Sequence, residues 1–189
     1  MSARVVFLGP IGTYSHQAAL QMFDGRPERL VAAPSISALF DELTNRTAHA
    51  ALVPYRNSSN GDVDLTHELM AALPTPRARA VDCTFVDVEH YALVSAETAA
   101  RLRAQGPAAV TRLVTHPQAW GQCTRWLAGN FTHARRDDVD STSRAAEIAA
   151  AEPGTLAIAS RAAMAVHNVE AYAERIQDFL GNYTIFVLL

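Results

Sequence analysis

The sequence predicts an α/β fold built on a largely parallel sheet, because short apolar runs alternate with segments of helical periodicity. The run Arg4–Leu8 is short, apolar and closed by Gly9 and Pro10, which is typical of a buried strand. Residues Ser35–Leu43 instead repeat apolar side chains at i, i+3, i+4 and i+7, the spacing of an amphipathic helix. With 189 residues, of which 49% are hydrophobic, the chain can form one ordinary domain or two small lobes.

The remaining elements are predicted from the same signals in chain order. Further strands are expected at Ala50–Val53, Asp87–Ser95, Arg112–Thr115, Thr155–Ser160 and Tyr183–Leu189. Helices are expected at Ala18–Phe23, Ser35–Leu43, Asp64–Leu73, Gln118–Leu127, Ser141–Ala151 and Arg161–Val166. Pro54 is expected to stop the strand before it, because proline has no N–H for a strand ladder. The stretch Leu73–Arg79, with two prolines, indicates a linker.

Composition excludes several classes of function. The net charge of −3 and the lack of a basic run with interleaved aromatic residues argue against nucleic-acid binding. No apolar stretch has the length of a signal-peptide core or a membrane span, so we expect a cytoplasmic protein with no membrane partner. Cys83 and Cys123 are then predicted to be free thiols. The scattered histidines indicate no metal site, and the chain has no glycine motif for a nucleotide cofactor.

Three predicted strand-to-helix turns are rich in hydroxyl groups: Gly9–Ala19, Thr115–Cys123 and Asp140–Ala146. Free N–H groups and the helix dipole make such turns attractive to anions, and parallel sheets gather ligands at this edge. The three turns together suggest a small ligand with carboxylates, although each alone also fits an ordinary helix cap. The polar loop Val53–Gly61 fits either a binding loop or a surface turn. His16 and His116 are more readily explained as packing or capping residues than as acid–base groups.

Five motifs together resemble the catalytic domain of prephenate dehydratase. The family shows G-P-x-G-T-[YF]-S, V-P-x-E-N-S-x-x-G, S-H-P-Q-A-L-x-Q-C, S-T-x-x-A-A and N-x-T-R-F. These are matched, in family order and over nearly the whole chain, by Gly9–Ser15, Val53–Gly61, Thr115–Cys123, Ser141–Ala146 and Asn182–Phe186. The departures are Arg56 for the Glu of E-N-S, Thr115 and Trp120 in the third motif, and Ile185 for the Arg of T-R-F.

The resemblance implies a single prephenate dehydratase-like domain made of two lobes, similar to type II periplasmic binding proteins. The active site is then expected in the cleft between the lobes. Lobe 1 would comprise about residues 1–76 with 177–189, and lobe 2 about residues 77–176. The resemblance further implies that no cofactor is needed, that the C-terminal regulatory domain of the family is missing from this chain, and that the protein is a homodimer.

The resemblance also implies site residues. Thr13, Ser15, Ser141, Thr142 and Ser143 would bind substrate carboxylates at helix ends. Asn57 and Ser58 would face the ring, and His116 and Gln118 would shape the second lobe's side of the site. Thr184 would hydrogen-bond the ring hydroxyl and Phe186 would pack beneath the ring. Arg56 would grip a carboxylate or simply be solvated.

The two charge-changing departures lead to three functional readings. The first is a lyase that decarboxylates prephenate and retains the ring hydroxyl, because charged groups that would help the hydroxyl leave are lost. Short prephenate decarboxylases of antibiotic pathways are similar in this respect. The second is a prephenate dehydratase, as in aromatic amino acid biosynthesis, in which Arg56 replaces the lost guanidinium. The third is a non-catalytic protein that binds a small carboxylate. The sequence alone favours the first.

Overall fold

The computed structural model describes residues 3–23, 29–73 and 79–189. The chain forms two compact units, Met1–Val88 with Gly181–Leu189, and Glu89–Leu180, and each is described by itself. The predicted boundaries near residues 76 and 177 are therefore displaced, because the segment before residue 88 pairs with the last strand in the first unit. The predicted linker Leu73–Arg79 falls mostly on residues 74–78, which lie outside the described residues.

Strands and helices alternate along the described chain. The strands are β1 (Val5–Leu8), β2 (Leu30–Ala33), β3 (Ala50–Asn57), β4 (Gly61–Asp62), β5 (Asp82–Asp87), β6 (Tyr91–Val94), β7 (Arg112–Thr115), β8 (Arg135–Asp138), β9 (Thr155–Ala159), β10 (Glu170–Ala173) and β11 (Tyr183–Leu188). The helices are α1 (Tyr14–Met22), α2 (Ile36–Thr44), α3 (Asp64–Ala72), α4 (Ala96–Gln105), α5 (Pro117–Trp120), α6 (Thr124–Gly129), α7 (Thr142–Ala151) and α8 (Arg161–His167), with a short 3-10 helix at Gly106–Ala109. Strands β2, β4, β5, β8 and β10 and helix α4 were not predicted from the sequence.

Both sheets are mixed, so the expectation of a largely parallel sheet was too strong. In the described part of the first unit the strand order is β2-β1-β3-β11-β5, with β4 paired to β3. The β1 pairs are parallel, whereas β11 runs antiparallel to both of its neighbours. In the second unit the order is β10-β6-β9-β7-β8, and β6 runs antiparallel to its neighbours. Strands β6 and β11 are each the first strand after the chain passes from one unit to the other, and β4 also runs antiparallel to its neighbour β3.

The first sheet has an apolar core on each face. Phe7, Leu52 and Phe186 pack on one face against the alanines of α1. Their strand neighbours Val6, Val53 and Val187 pack on the other face together with apolar residues of α2 and α3. This alternation follows from the period of two along a strand. We call the two sides the α1 face and the α2/α3 face.

Strand β3 does not stop at Pro54 as predicted, but continues to Asn57. Phe186 lies opposite Pro54 and Ile185 lies opposite Arg56, so Tyr55 is an additional residue in β3. Such a β-bulge accommodates a proline, because the regular ladder is already interrupted there. The predicted loop Val53–Gly61 is therefore a strand, a tight turn and the short strand β4.

Two predicted elements of the second unit are divided. The expected strand Asp87–Ser95 is the end of β5 and the separate strand β6, which belong to different sheets. The expected helix Gln118–Leu127 is two helices, α5 and α6. Helix α6 starts anew at Thr124 because the Asp178 carboxylate accepts hydrogen bonds from the backbone N–H groups of Thr124 and Arg125, both at 2.9 Å. In the part of the chain that the structure describes, no helix combines the length and apolarity needed to cross a membrane.

Candidate functional site

Three separate segments of the first unit supply predicted residues to one edge of its sheet. Strands β1 and β3 are parallel, so both end at this edge. Strand β11 is antiparallel to β3, and its first residues therefore lie beside the last residues of β3, with Thr184 opposite Asn57. The turn into α1 starts here as well. The carboxyl edge of an α/β sheet is where ligands usually bind.

The turn into α1 is held by its own side chains. Thr13 is the N-cap; its hydroxyl oxygen accepts a hydrogen bond from the His16 N–H at 3.3 Å and donates to the Pro10 carbonyl at 2.9 Å. Ser15 lies in the first turn and is only 6% exposed. Gly9 approaches β2 so closely that a Cβ atom there would lie 2.9 Å from Ala32 Cβ. The close approach at Gly9 is thus to the neighbouring strand rather than to a ligand.

His16 stabilises the same turn. Its Nδ1 accepts a hydrogen bond from the Gly12 N–H at 3.2 Å, and its ring packs on Phe7 with 5.2 Å between ring centroids. Partial burial of the ring lowers the His16 pKa below its ordinary value of 6.5, so the neutral form predominates at neutral pH. The structure thus agrees with the packing and capping role given to His16 over an acid–base role.

Asn57 and Thr184 form a cross-strand pair with a defined hydrogen-bond direction. The Asn57 Oδ1 accepts from the backbone N–H groups of Ser59 and Asn60, at 3.0 and 2.9 Å, which closes the turn after β3. The amide nitrogen of Asn57 must then point the other way, where it donates to the Thr184 Oγ1 at 3.0 Å. Because the Thr184 oxygen accepts this bond, its hydroxyl hydrogen is left to point away from Asn57.

Asn182 joins this pair, although its only sequence signal is its place in the fifth motif. Its Oδ1 lies 2.8 Å from the Asn57 amide nitrogen and 3.3 Å from the Ser58 hydroxyl, and Asn182 is only 8% exposed. Ser58 also accepts from the Tyr183 N–H at 3.0 Å, which fastens the turn to β11. The predicted residue Ser58 therefore bonds to the backbone and to Asn182. Asn182 stands two residues before Thr184 in the fifth motif, but that pattern does not indicate its contact with Asn57.

The two charge-changing departures lie on the opposite face from Thr184. Ile185 is paired with Arg56 across the β3–β11 ladder, and Ile185 packs with the core of the α2/α3 face. The exposed Arg56 side chain forms an ion pair with Asp62 of β4, at 3.0 Å. Thr184 lies on the α1 face, because successive strand residues point to opposite sides. Of the two roles expected for Arg56, the exposed ion pair with Asp62 fits a solvated side chain better than one that grips a carboxylate.

Ile185 also borders an open cavity of about 540 Å³ on the α2/α3 face. Its lining residues are Cys83, Thr84, Phe85, Tyr183 and Ile185. Phe85 is 62% exposed there. Ile185 thus has apolar neighbours and lies on the face opposite the polar groups of Asn57 and Thr184.

Phe186 occupies the core rather than a binding surface. It is 1% exposed and packs with Phe7, Leu52 and Val86. Since Thr184 and Phe186 are two residues apart on one strand, they share the α1 face. The predicted contact of Phe186 with a substrate ring is replaced by a supporting position one layer beneath Thr184.

In the second unit, the predicted residues lie after β7 and β8, which are parallel and end at the same edge. The ring nitrogen Nδ1 of His116 accepts from the Gln118 N–H at 3.3 Å, which makes His116 the cap of α5. The Gln118 side chain is exposed, whereas the Thr115 hydroxyl donates inward to the Ile158 carbonyl at 2.6 Å. Helix α5 has only four residues, so it adds little dipole for an anion.

The hydroxyl groups at the start of α7 differ in burial and in hydrogen bonding. Ser141 is the N-cap and accepts from the Arg144 N–H at 3.0 Å, while Thr142 is half-buried in the first turn. Ser143 is 1% exposed and lies 2.8 Å from the His167 Nε2, so it joins α7 to α8. The expectation that Ser143 binds a carboxylate is not supported by this burial. Partial burial lowers the pKa of His167, although Glu147 opposes the shift.

Burial distinguishes the two thiols, and one histidine of the second unit is also buried. Cys83 is exposed and Cys123 is buried, and both are free. Burial raises the pKa of the Cys123 thiol to about 12, so it stays protonated. His90 is 2% exposed and bonds to the Gln122 side chain at 2.8 Å; burial lowers its pKa. Among the described residues no cluster of His, Cys, Asp or Glu is suited to hold a metal ion.

Several known proteins are similar to this chain in sequence. A probable prephenate dehydratase of Saccharomyces cerevisiae is 32% identical over 216 residues, covering 98% of this chain and 65% of that protein. A bifunctional chorismate mutase/prephenate dehydratase of Neisseria gonorrhoeae is 30% identical over 187 residues, covering 98% of this chain and 49% of that protein. The chain thus spans about half the length of the bifunctional relatives it matches.

The fold is also found in a solved structure. The prephenate dehydratase of Arthrobacter aurescens in complex with L-Phe superposes with a TM-score of 0.84 at 24% identity, over 98% of this chain and 59% of that one. This similarity confirms the predicted α/β class, that of the type II periplasmic-binding-protein-like domains. The family model described as "PDT: Prephenate dehydratase" matches residues 5–189. The chain therefore belongs to the prephenate dehydratase family.

Proposed function

We propose that this protein is a cofactor-free lyase that converts prephenate to phenylpyruvate, CO2 and water. The observation that carries the proposal is the pair on the α1 face, in which the Asn57 amide donates to Thr184 and leaves the Thr184 hydroxyl hydrogen available. In the reaction, the bond to the ring carboxylate breaks and its electron pair enters the ring. The ring hydroxyl is expelled and takes up a proton to leave as water, which makes the ring aromatic.

Thr184 is assigned the role of hydrogen-bond donor to the departing hydroxyl. A donor that is already oriented lowers the barrier most, because it needs no reorganisation when charge develops on the oxygen. Asn57 supplies that orientation. The nine-residue helix α1, with Thr13 and Ser15 in its first turn, is assigned to a substrate carboxylate, because the free N–H groups at its start attract anions.

In the second unit, Gln118, Ser141 and Thr142 are assigned carboxylate binding on weaker grounds. Gln118 is exposed and Thr142 is half-buried, so their side chains remain accessible to a ligand. Ser143 and Phe186 are left out of the binding set because both are almost fully buried. We further propose that the protein acts as a cytoplasmic homodimer, as the family resemblance implies.

A second candidate is decarboxylation with the ring hydroxyl retained, as in the decarboxylases of antibiotic pathways. The observation that favours it is the pair of departures at Arg56 and Ile185. Its physical basis is weakened by the register of β11, since Ile185 lies on the face opposite Thr184. A substitution on that face does not remove a donor from the hydroxyl. The dehydratase is therefore the better supported of the two.

Product analysis with prephenate tests the proposal. The purified protein is incubated at mildly basic pH, where spontaneous aromatisation of prephenate is slow, and phenylpyruvate is followed by its ultraviolet absorbance. We expect phenylpyruvate and CO2 in equal amounts. A product that has lost CO2 but keeps the hydroxyl, detected by mass, would establish the decarboxylase instead. Binding of prephenate without turnover would indicate a non-catalytic carboxylate-binding protein.

A further inference from the structure

The Asn57 side chain has more acceptors around it than hydrogens to donate. Its amide nitrogen carries two hydrogens but lies near three oxygens: Asn182 Oδ1 at 2.8 Å, the Tyr183 carbonyl at 3.0 Å and Thr184 Oγ1 at 3.0 Å. The direction of this amide therefore depends on which acceptor is held most firmly. Asn182 makes the shortest of these contacts.

Asn182 is itself fixed in place. Its side chain is 8% exposed, and its Oδ1 also lies 3.3 Å from the Ser58 hydroxyl. Its backbone carbonyl accepts from the Val88 N–H at 2.8 Å, which extends the β5–β11 ladder by one pair. A buried acceptor in a rigid ladder keeps its position, whereas an exposed one moves with solvent.

We propose that Asn182 is a positioning residue for the reaction, acting through Asn57 on Thr184. Asn182 holds one N–H of the Asn57 amide, and the plane of the amide then directs the second N–H toward Thr184. Without this acceptor the amide turns toward the Tyr183 carbonyl, and the Thr184 hydroxyl loses the bond that fixes its oxygen. This inference rests on the proposed function for its catalytic consequence, but its structural part stands by itself.

The kinetic test is a double-mutant cycle on turnover. Asn182→Ala should lower kcat roughly 10-fold with KM little changed, because a lost orientation affects the transition state more than binding. In a Thr184→Val background, Asn182→Ala should cause no further loss, since the two residues act in one chain of contacts. Asn130→Ala is the matched control, because it removes a partly buried asparagine side chain in the other unit, whose amide donates to the Trp126 carbonyl. Independent losses that simply add would overturn the proposal.

A second measurement does not depend on turnover. The side-chain amide of Asn57 is followed by NMR in ¹⁵N-labelled protein, with Asn57→Asp used to assign its signals. Asn182→Ala should shift both amide protons and speed their exchange with solvent, while Asn130→Ala should not. An unchanged Asn57 amide would overturn the inference even if activity fell. If the native protein shows no turnover of prephenate, the proposed function is wrong, and the amide signals alone decide whether Asn182 positions Asn57.

Discussion

On the α1 face of the first sheet, Asn57 and Thr184 match the family motifs and are joined by a hydrogen bond of 3.0 Å. On the α2/α3 face, one residue away on each strand, Arg56 and Ile185 both depart from those motifs and are likewise cross-strand neighbours. Arg56 forms an ion pair with Asp62 on β4. The two departures are thus cross-strand neighbours, and they lie on the face opposite the groups proposed to do chemistry.

The largest effect is expected when the Thr184 hydroxyl on the α1 face is removed. Thr184→Val should lower kcat by about 100-fold or more, because the donor to the departing oxygen is removed while the shape is kept. Thr184→Ser keeps the hydroxyl and should retain most of the activity. Steady-state kinetics with prephenate measure both. Equal activity of the valine and native proteins would remove Thr184 from the reaction.

A smaller loss is expected when the orientation of Thr184 is changed and the turn is preserved. Asn57→Asp keeps an oxygen for the Ser59 and Asn60 N–H groups but replaces the amide donor by an acceptor. The Thr184 hydroxyl would then donate to the new carboxylate instead of the substrate, and kcat should fall roughly 10-fold to 100-fold. Thermal unfolding serves as the control for folding. A native kcat in a folded variant would contradict the assigned direction of this bond.

Restoring the family residues on the α2/α3 face should have little effect on chemistry. The double variant Arg56→Glu with Ile185→Arg is expected to change kcat by less than about threefold, with the same product, because neither side chain lies on the face of Thr184. The new ion pair should contribute about 1 kcal/mol or less, and it offsets only part of the stability lost with the packing of Ile185 and the Arg56–Asp62 pair. The two single variants are the controls for that coupling. A change of product in the double variant would support the hypothesis that the native protein is a decarboxylase.

The smallest expected effect is on the pH dependence of stability, and it concerns His16 on the α1 face. The pKa of His16 on the α1 face is lowered by burial from 6.5, so the unfolded chain binds a proton more readily than the folded one. His16 therefore contributes stability above about pH 6.5, which is lost as pH falls through the lowered pKa. His16→Gln should flatten the decline of unfolding free energy between about pH 7 and pH 5. The unfolding free energy is measured by denaturant titration at each pH. If it declines equally with pH in the native and the His16→Gln proteins, His16 does not titrate differently on folding.

Local signals in the sequence were sufficient for elements whose cause is local. Ser35 and Ser141 cap helices as predicted, and the apolar run Thr155–Ala159 is a fully buried strand. Elements that depend on distant partners were misjudged. The break before α6 depends on Asp178, more than 50 positions away along the chain, and no pattern near Thr124 reveals it.

The site shows the same limit. Motif matching named both Asn57 and Thr184 as site residues, and the two lie opposite each other in the ladder between β3 and β11. It also grouped Ile185 with Thr184 because they are adjacent in sequence, although adjacent strand residues point to opposite faces. The contact between Asn57 and Asn182 joins residues 125 positions apart, so only the folded chain discloses it.

The additional residue at Tyr55 decides which side chain of β3 lies opposite Thr184. If β3 were regular after Pro54, counting along the ladder would place Arg56 rather than Asn57 opposite Thr184, and a guanidinium would face the hydroxyl. The bulge makes chain length, more than residue identity, the property that decides which side chain of β3 lies opposite Thr184. An insertion or deletion in this part of β3 would therefore exchange the side chain opposite Thr184, whereas a substitution at Arg56 would leave the register unchanged.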